Sequence, residues 1–304
     1  MEIQATPFHS LQEALISLFG NGIHIKKMQA ISGGDINEAF GLTLSDGKQI
    51  FMKSNAMDNL AYFTAEMQGL SAIAQTGTIQ TPRILACGTD KERNCSFLLL
   101  EQIHAGRRIG DYWETLGHQL AELHKYSTED FVLDGKYGFL EDNYIGAGKQ
   151  INTVKDSWIS FFRDCRLEPQ FRRATDYFSA EDLKRINQLL DHIGDILIEP
   201  ECPSLLHGDL WSGNVMVGAD GKAWLIDPAV YVGHAEADLA MTELFGGFAS
   251  GMYASYQEIS PLQSGYEDRR ELYNLYHLLN HLNLFGGSYL LSVKRIVNRY
   301  SSGY

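Results

Sequence analysis

Cysteine is scarce and unpatterned in this chain. Four occur in 304 residues (Cys87, Cys95, Cys165 and Cys202), without a CxxC pair, which excludes a disulfide-stapled secreted scaffold. Cys87 and Cys95 flank the turn DKERN; two reduced thiols are expected there, with a pair across the hairpin as the alternative. Basic runs are also missing. Lys and Arg number 25 against 38 Asp and Glu, a formal charge of -13, so no nucleic-acid backbone is expected as partner, and any anionic ligand must be held by local positive groups. No apolar run approaches a membrane span, the opening MEIQATPF has neither a basic n-region nor an apolar core, and no repeat or low-complexity segment occurs. These absences predict a cytoplasmic globular protein, and 44% hydrophobic content suffices for two lobes with cores of their own.

Hydrophobic periodicity orders what is present. SLQEALISLF carries Ser10 and Glu13 in capping-box spacing, with Gly20 as a stop, and predicts a short helix. Strand patterns follow in IHIKKMQAI, EAFGLTL and KQIFMKS, the last two separated by the turn signal SDG. In DNLAYFTAEMQGLSAIA, the residues Leu60, Phe63, Met67, Leu70 and Ile73 recur at helical spacing and set Glu66 beside the inward face. PRILACG and CSFLLLEQI complete five strands. Beyond about residue 103 the patterns are mostly helical, which predicts an α+β chain with a sheet lobe over 1–102 and a larger helical lobe over 103–304.

The stretch LLHGDLWSGNVMV, residues 205–217, holds His207, Asp209 and Asn214 in a loop gripped by apolar flanks. A phosphoryl-transfer site needs a cradle for phosphates, a Lys and Mg²⁺ to neutralise them, and a carboxylate against the attacking hydroxyl. Ser32, Gly33 and Gly34 lie on a strand-to-strand turn where backbone N–H groups can approach phosphate oxygens, although the third glycine of GxGxxG is missing and Asp35 adds a negative charge. Lys53 ends a strand and Glu66 lies on the next helix, an order suited to an ion pair that fixes the ammonium. Asp227 ends the apolar run WLID, where an ionised carboxylate requires a cation.

The ordered series of a glycine turn, Lys53, Glu66, LLLEQI, HGDLWSGN and LIDP resembles the protein-kinase-like superfamily in its aminoglycoside and choline phosphotransferase branch. GGDINEAF, YGFLEDNYIGAGKQIN, WISFFRDCRLEPQ, DPAVYVGHAEADLAM and LLNHLNLFG are similar to the fructosamine-3-kinase (ketosamine-3-kinase) family along nearly the whole chain. The resemblance implies a bilobal fold with a five-stranded antiparallel sheet and one main helix in the smaller lobe. It implies ATP and Mg²⁺, Asp209 as the base, Asn214 and Asp227 as metal ligands, and Lys53 and Glu66 as nucleotide anchors. The backbone of Glu101, Gln102 and Ile103 is then the adenine hinge, and the acceptor is a ketosamine or a glycated lysine.

Spacing bears on acceptor size. Asp238 follows Asp227 by only eleven positions; with Asp238 as buttress of the catalytic loop, no room remains for the long activation segment on which protein kinases dock a peptide. His207 is then expected to brace the loop. Trp211, two residues from the proposed base, either offers a flat face to a sugar or an amine or packs inward. His277 and His281, at i and i+4, fit core or pocket histidines better than a metal pair, and His281 is placed in the acceptor pocket by the resemblance. An aminoglycoside- or choline-type kinase is the alternative, and a nucleotide-binding pseudokinase the third reading; the presence of Lys53, Asp209, Asn214 and Asp227 counts against the last.

Overall fold

Ser10 starts the first helix, α1 (Leu11–Phe19), by accepting a hydrogen bond from Glu13 N at 3.0 Å. Glu13 reaches back to His9 N (3.1 Å), one residue beyond what a reciprocal box requires, and Gly20 at φ 95° ends the helix. The structure is a computed structural model that describes residues 7–31, 37–132 and 136–301. The turn with Ser32, Gly33, Gly34 and Asp35 lies outside the described residues.

Five strands follow: β1 (Ile25–Ile31), β2 (Glu38–Leu44), β3 (Gln49–Ala56) and, after α2 (Leu60–Thr76), β4 (Ile84–Asp90) and β5 (Cys95–Glu101). They form one antiparallel sheet in the order β1-β2-β3-β5-β4. Two helices cover it, one on each face. On one side α1 sets Leu11, Ala14 and Leu15 against Leu42, Met52, Phe97 and Leu99; on the other α2 sets Phe63, Met67 and Leu70 against Leu98 and Leu100. The period-2 alternation of β5 thus feeds two apolar layers, which is why CSFLLLE reads as an unbroken apolar run. The same register separates the thiols, because Cys87 pairs with Leu98 while Cys95 pairs with Asp90. They do not face each other, and all four cysteines are free.

The rest of the chain is mostly helical. After α3 (Tyr112–Lys125) come the small hairpin β6 (Asn143–Ile145) and β7 (Gly148–Gln150), then a helical run of α4 (Trp158–Phe161), a π turn over Phe162–Leu167 and α5 (Glu168–Arg173). Then α6 (Ala180–Asp191) precedes two further two-stranded ladders, in which β8 (Ser204–Leu206) pairs with β11 (Tyr231–Gly233) and β9 (Val215–Val217) with β10 (Ala223–Leu225). Four helices end the chain: α7 (Ala235–Leu244), α8 (Ser250–Ile259), α9 (Tyr266–Phe285) and α10 (Leu290–Ser301). Among the described residues no helix is long and apolar enough to cross a membrane.

Two buried polar devices fix the ground under the site. Asn143 Nδ2 and Gln150 Nε2 donate to the carbonyls of Val230 (2.7 Å) and Ala229 (2.9 Å), and Tyr276 OH donates to Gln150 Oε1 at 2.7 Å. This pins the chain just after Asp227. Arg166, fully buried in the π turn, donates to Asn152 Oδ1 (2.8 Å) and to Ile151 O, with its guanidinium 3.9 Å from the Tyr231 ring centroid and 4.6 Å from that of Phe161. Carbonyl dipoles and ring faces take the place of a carboxylate around this cation.

Candidate active site

The loop between β8 and β9 is shaped by one glycine. Gly208 has φ +81°, and a Cβ there would stand 2.0 Å from Ala229 O, so only a residue without a side chain lets the loop lie this close to the chain after Asp227. Asp238, on the first turn of α7, clamps the same loop by accepting from His207 N (2.7 Å) and Gly208 N (2.9 Å). His124 Nε2 lies 3.3 Å from Asp238, and His124 Nδ1 meets Tyr256 OH at 2.8 Å. Burial works to raise the Asp238 pKa, but the bonds from His124 and the loop outweigh it and hold the carboxyl below its ordinary range. His207 has both ring nitrogens engaged: Nε2 donates to Ile226 O (2.9 Å), and Nδ1 accepts from Asp209 N (3.3 Å). Burial lowers its pKa, so a neutral ring braces the loop.

Asp209 emerges from this frame. Asn214 Nδ2 donates to its backbone carbonyl (2.9 Å) and to its carboxylate Oδ2 (3.1 Å). Burial pushes the Asp209 carboxyl up to about 7; Asn214 pulls against the shift, and Asp227 and Asp238 add to it. A carboxylate poised near neutrality suits proton transfer from a hydroxyl. Asp227 sits at φ 54°, a left-handed conformation that a non-glycine residue adopts at a cost of about 1–3 kcal/mol and that clusters at functional sites. Its carboxylate meets Lys53 Nζ, which also bonds Glu66 Oε1 at 2.7 Å. Burial alone would lower the Lys53 pKa; Asp227 and Glu66 outweigh it and keep the ammonium charged. Burial likewise drives Glu66 upward against the pull of Lys53. The strand-helix order Lys53 to Glu66 therefore produces a real ion pair, and that pair extends across the cleft to Asp227.

The sheet register sets Lys53 opposite Leu98 and Ile50 opposite Glu101, so Glu101 ends β5 and Gln102 and Ile103 leave the sheet. Past them, Gly106 N donates to Val217 O (2.9 Å), and a Cβ on Gly106 would stand 2.0 Å from Gly218 O. The segment after β5 is thereby laid against the β9–β10 hairpin. The donor set beside Asp209 fits Mg²⁺: Asn214 spends its amide N–H on Asp209, which leaves its amide oxygen, and Asp227 brings a carboxylate. Two protein oxygens are what a magnesium ion takes when phosphates and water complete its shell. Among the described residues no group of three or more His, Cys, Asp or Glu could hold a metal ion by itself.

Trp211 is 39% exposed, edge-on to Phe245 with centroids 6.3 Å apart; it does not pack in the core. His281 packs against Phe245 at 5.2 Å, on the same side of the site. Its Nδ1 donates to His277 O (2.8 Å), so the two histidines are tied through the helix backbone. The residue that the sequence reading undervalued is His277. It is 3% exposed, its Nδ1 has no hydrogen-bond partner, and that atom lies 4.0 Å from Asp209 Oδ1. Burial, with His281 adding, pushes its pKa down to about 3 and keeps the ring neutral. An unsatisfied polar atom beside Asp209 was invisible in the sequence, where the i, i+4 spacing and leucine neighbours pointed to a satisfied core or pocket histidine.

The family model for fructosamine kinase matches residues 7–302. A probable ketoamine kinase of Synechocystis is 40% identical over 299 residues, covering 96% of each chain. A chloroplastic protein-ribulosamine 3-kinase of Arabidopsis thaliana is 37% identical over 286 residues, covering 92% of this chain and 84% of the relative. In three dimensions, a crystal structure of a candidate fructosamine-3-kinase from Haemophilus somnus superposes with a TM-score of 0.84 at 29% identity, covering 96% of each chain.

Proposed function

The chain belongs to the fructosamine kinase family, and we propose that it transfers the γ-phosphoryl group of ATP to the sugar 3-hydroxyl of a ketosamine, a fructosamine, ribulosamine or erythrulosamine adduct of an amine. The observation that carries the phosphoryl transfer is the placement of Asp209, on a loop that Asp238 clamps and with its carboxylate bonded by Asn214; membership of the family supports the ketosamine acceptor. Asp209 takes the proton of the 3-hydroxyl as its oxygen attacks the γ-phosphorus; the bond to the β-γ bridging oxygen breaks, and ADP leaves. Lys53, fixed by Glu66, sets its charge against the α and β phosphates. Asn214 and Asp227 would hold Mg²⁺, which supplies positive charge to the phosphate oxygens. The backbone of Glu101 to Ile103 meets the adenine, so that residues 1–102 hold the nucleotide and 103–304 the catalytic loop and the acceptor. His277, whose buried Nδ1 lies 4.0 Å from Asp209 Oδ1, backs the carboxylate from the protein side and helps hold its position. His207 and Asp238 support the loop.

The acceptor is a small molecule or a single exposed side chain. Of the ten residues between Asp227 and Asp238, all but Ala235 are buried, and this supports the absence of a peptide-docking platform. Trp211 lies against the sugar, with His281 nearby. A 3-phosphate is a far better leaving group than hydroxide, so the adduct is destabilised and the amine is returned, which makes the activity a step in protein deglycation. Four free thiols support a reducing compartment, and we place the protein in the cytoplasm. Phosphorus NMR of the product tests the chemistry: one phosphate ester on C3 per ADP formed is expected, and an ester at another carbon would refute the proposed pose.

A further inference from the structure

The aromatic side chains around the acceptor do not stop at Trp211. Phe245 stands edge-on to Trp211; His281 follows at 5.2 Å from Phe245, and Phe285 and Tyr289 lie 5.5 Å and 5.1 Å from His281. Phe245 and Phe285 are 43% and 48% exposed. Exposed rings of this size are ordinarily turned inward, and here one is held outward by a specific turn. Gly246 and Gly247 both have positive φ (71° and 101°), and a Cβ on Gly247 would meet Ser212 Cβ at 2.5 Å. Phe248, beyond the turn, is anchored against Trp113 with centroids 6.1 Å apart. The turn therefore docks onto the loop that holds Asp209, packs one phenylalanine half-buried against the core and presents the other. His281 donates through Nδ1 to a backbone carbonyl, which fixes the tautomer and leaves Nε2 as an acceptor on a wall that otherwise carries no charge.

Resting on the ketosamine reading, we infer that this wall is a second subsite, which binds the amine-bearing arm of the acceptor: the side chain of a glycated lysine on a protein. Its chemistry suits that arm. The amine nitrogen next to the sugar is a protonated secondary ammonium, which ring faces attract and Nε2 accepts from, and the methylenes beyond it are apolar and lie along Phe245 and Phe285. Continuity with the base favours this occupant, because the wall begins at the ring two residues from Asp209.

The test compares two acceptors, the fructose adduct of Nα-acetyl-lysine amide and that of methylamine, which keeps the sugar and the ammonium but has no stem. For the unsubstituted enzyme the ratio of kcat/KM should favour the lysine adduct, and Phe245→Ser with Phe285→Ser should lower that ratio by at least about tenfold, mainly through KM, since apolar contacts of a few methylenes discriminate on that scale. Phe245→Tyr, which keeps the ring, should retain the ratio. Equal loss on both adducts, or no change in the ratio, overturns the subsite while leaving the ketosamine reading intact. An unsubstituted enzyme inert towards both adducts overturns the ketosamine reading and the subsite with it. A dimer that dissociates in the serine variant during sedimentation would assign the wall to a second copy of the chain, and that outcome also overturns the inference.

Discussion

The foot of the site and its rim are built by opposite means. At the foot, Asp209 is reached through His207, Gly208, Asp238 and Asn214, all but buried and joined by hydrogen bonds to backbone. At the rim, Trp211, Phe245 and Phe285 are more than a third exposed; Trp211 meets Phe245 edge-on, and Phe245 and Phe285 each pack on the His281 ring. Buried polar networks tolerate little, because a broken bond leaves a group unsatisfied at a cost of about 1–3 kcal/mol or more. Exposed rings can change with little effect on folding. With the proposed roles, the chemistry is tied to the fold and acceptor choice is separable from it.

That contrast can be broken or sharpened in order of size. Asp209→Asn should lower kcat by about 10²–10⁴-fold for every acceptor while leaving ATP affinity near that of the parent; calorimetric titration with ATP alongside steady-state rates separates the two. A variant turning over within a fewfold of the parent would remove Asp209 from the role of base. Lys53→Ala and Asp227→Ala should each abolish measurable turnover, and activity should vanish without Mg²⁺; full activity in EDTA would contradict the assignment of Asn214 and Asp227. Gly208→Ala forces a side chain towards Ala229 O in a left-handed conformation, so it should cost about 1–3 kcal/mol in folding free energy together with most of the activity; chemical denaturation reads the first effect and turnover the second. His277→Leu removes the ring nitrogens while filling a similar volume, and should reduce kcat by roughly tenfold with little change in KM for ATP. Smallest is Trp211→Ala, which should reduce the preference for ketosamines over other alcohols and leave folding unchanged; a large loss of stability there would place Trp211 in the foot.

Sequence periodicity gave the elements that depend on neighbours. The stripe from Leu60 to Ile73 became the buried face of α2, and HGDLWSGN became a loop between two strand edges. Lys53 with Glu66 was readable because strand-Lys-helix-Glu is an order along the chain. What escaped was set by distant contacts. Asp238 is supported by His124, 114 residues away, and Lys53 meets Asp227 across 174 residues; no local spacing encodes either pairing. The Cys87 and Cys95 alternative failed on strand register, which the hairpin turn alone does not fix. From the apolar pattern of Leu278, Leu279 and Leu282, His277 reads as a satisfied core or pocket histidine, yet its own Nδ1 is left without a partner beside Asp209. The rim was only half visible: Trp211 announced itself by its place in the loop, whereas Phe245 acquires meaning from the Gly246–Gly247 turn and its seat on Ser212.

The central claim is that the buried foot serves a ketosamine rather than another alcohol, and one comparison addresses it most directly. With purified protein, ATP and Mg²⁺, kcat/KM should be measured for fructosyl-lysine, ribulosyl-lysine, kanamycin and choline under one set of conditions. At least one ketosamine should exceed kanamycin and choline by about tenfold or more, a difference of about 1.4 kcal/mol in transition-state stabilisation. Efficient phosphorylation of kanamycin or choline, with neither ketosamine turned over, would contradict it.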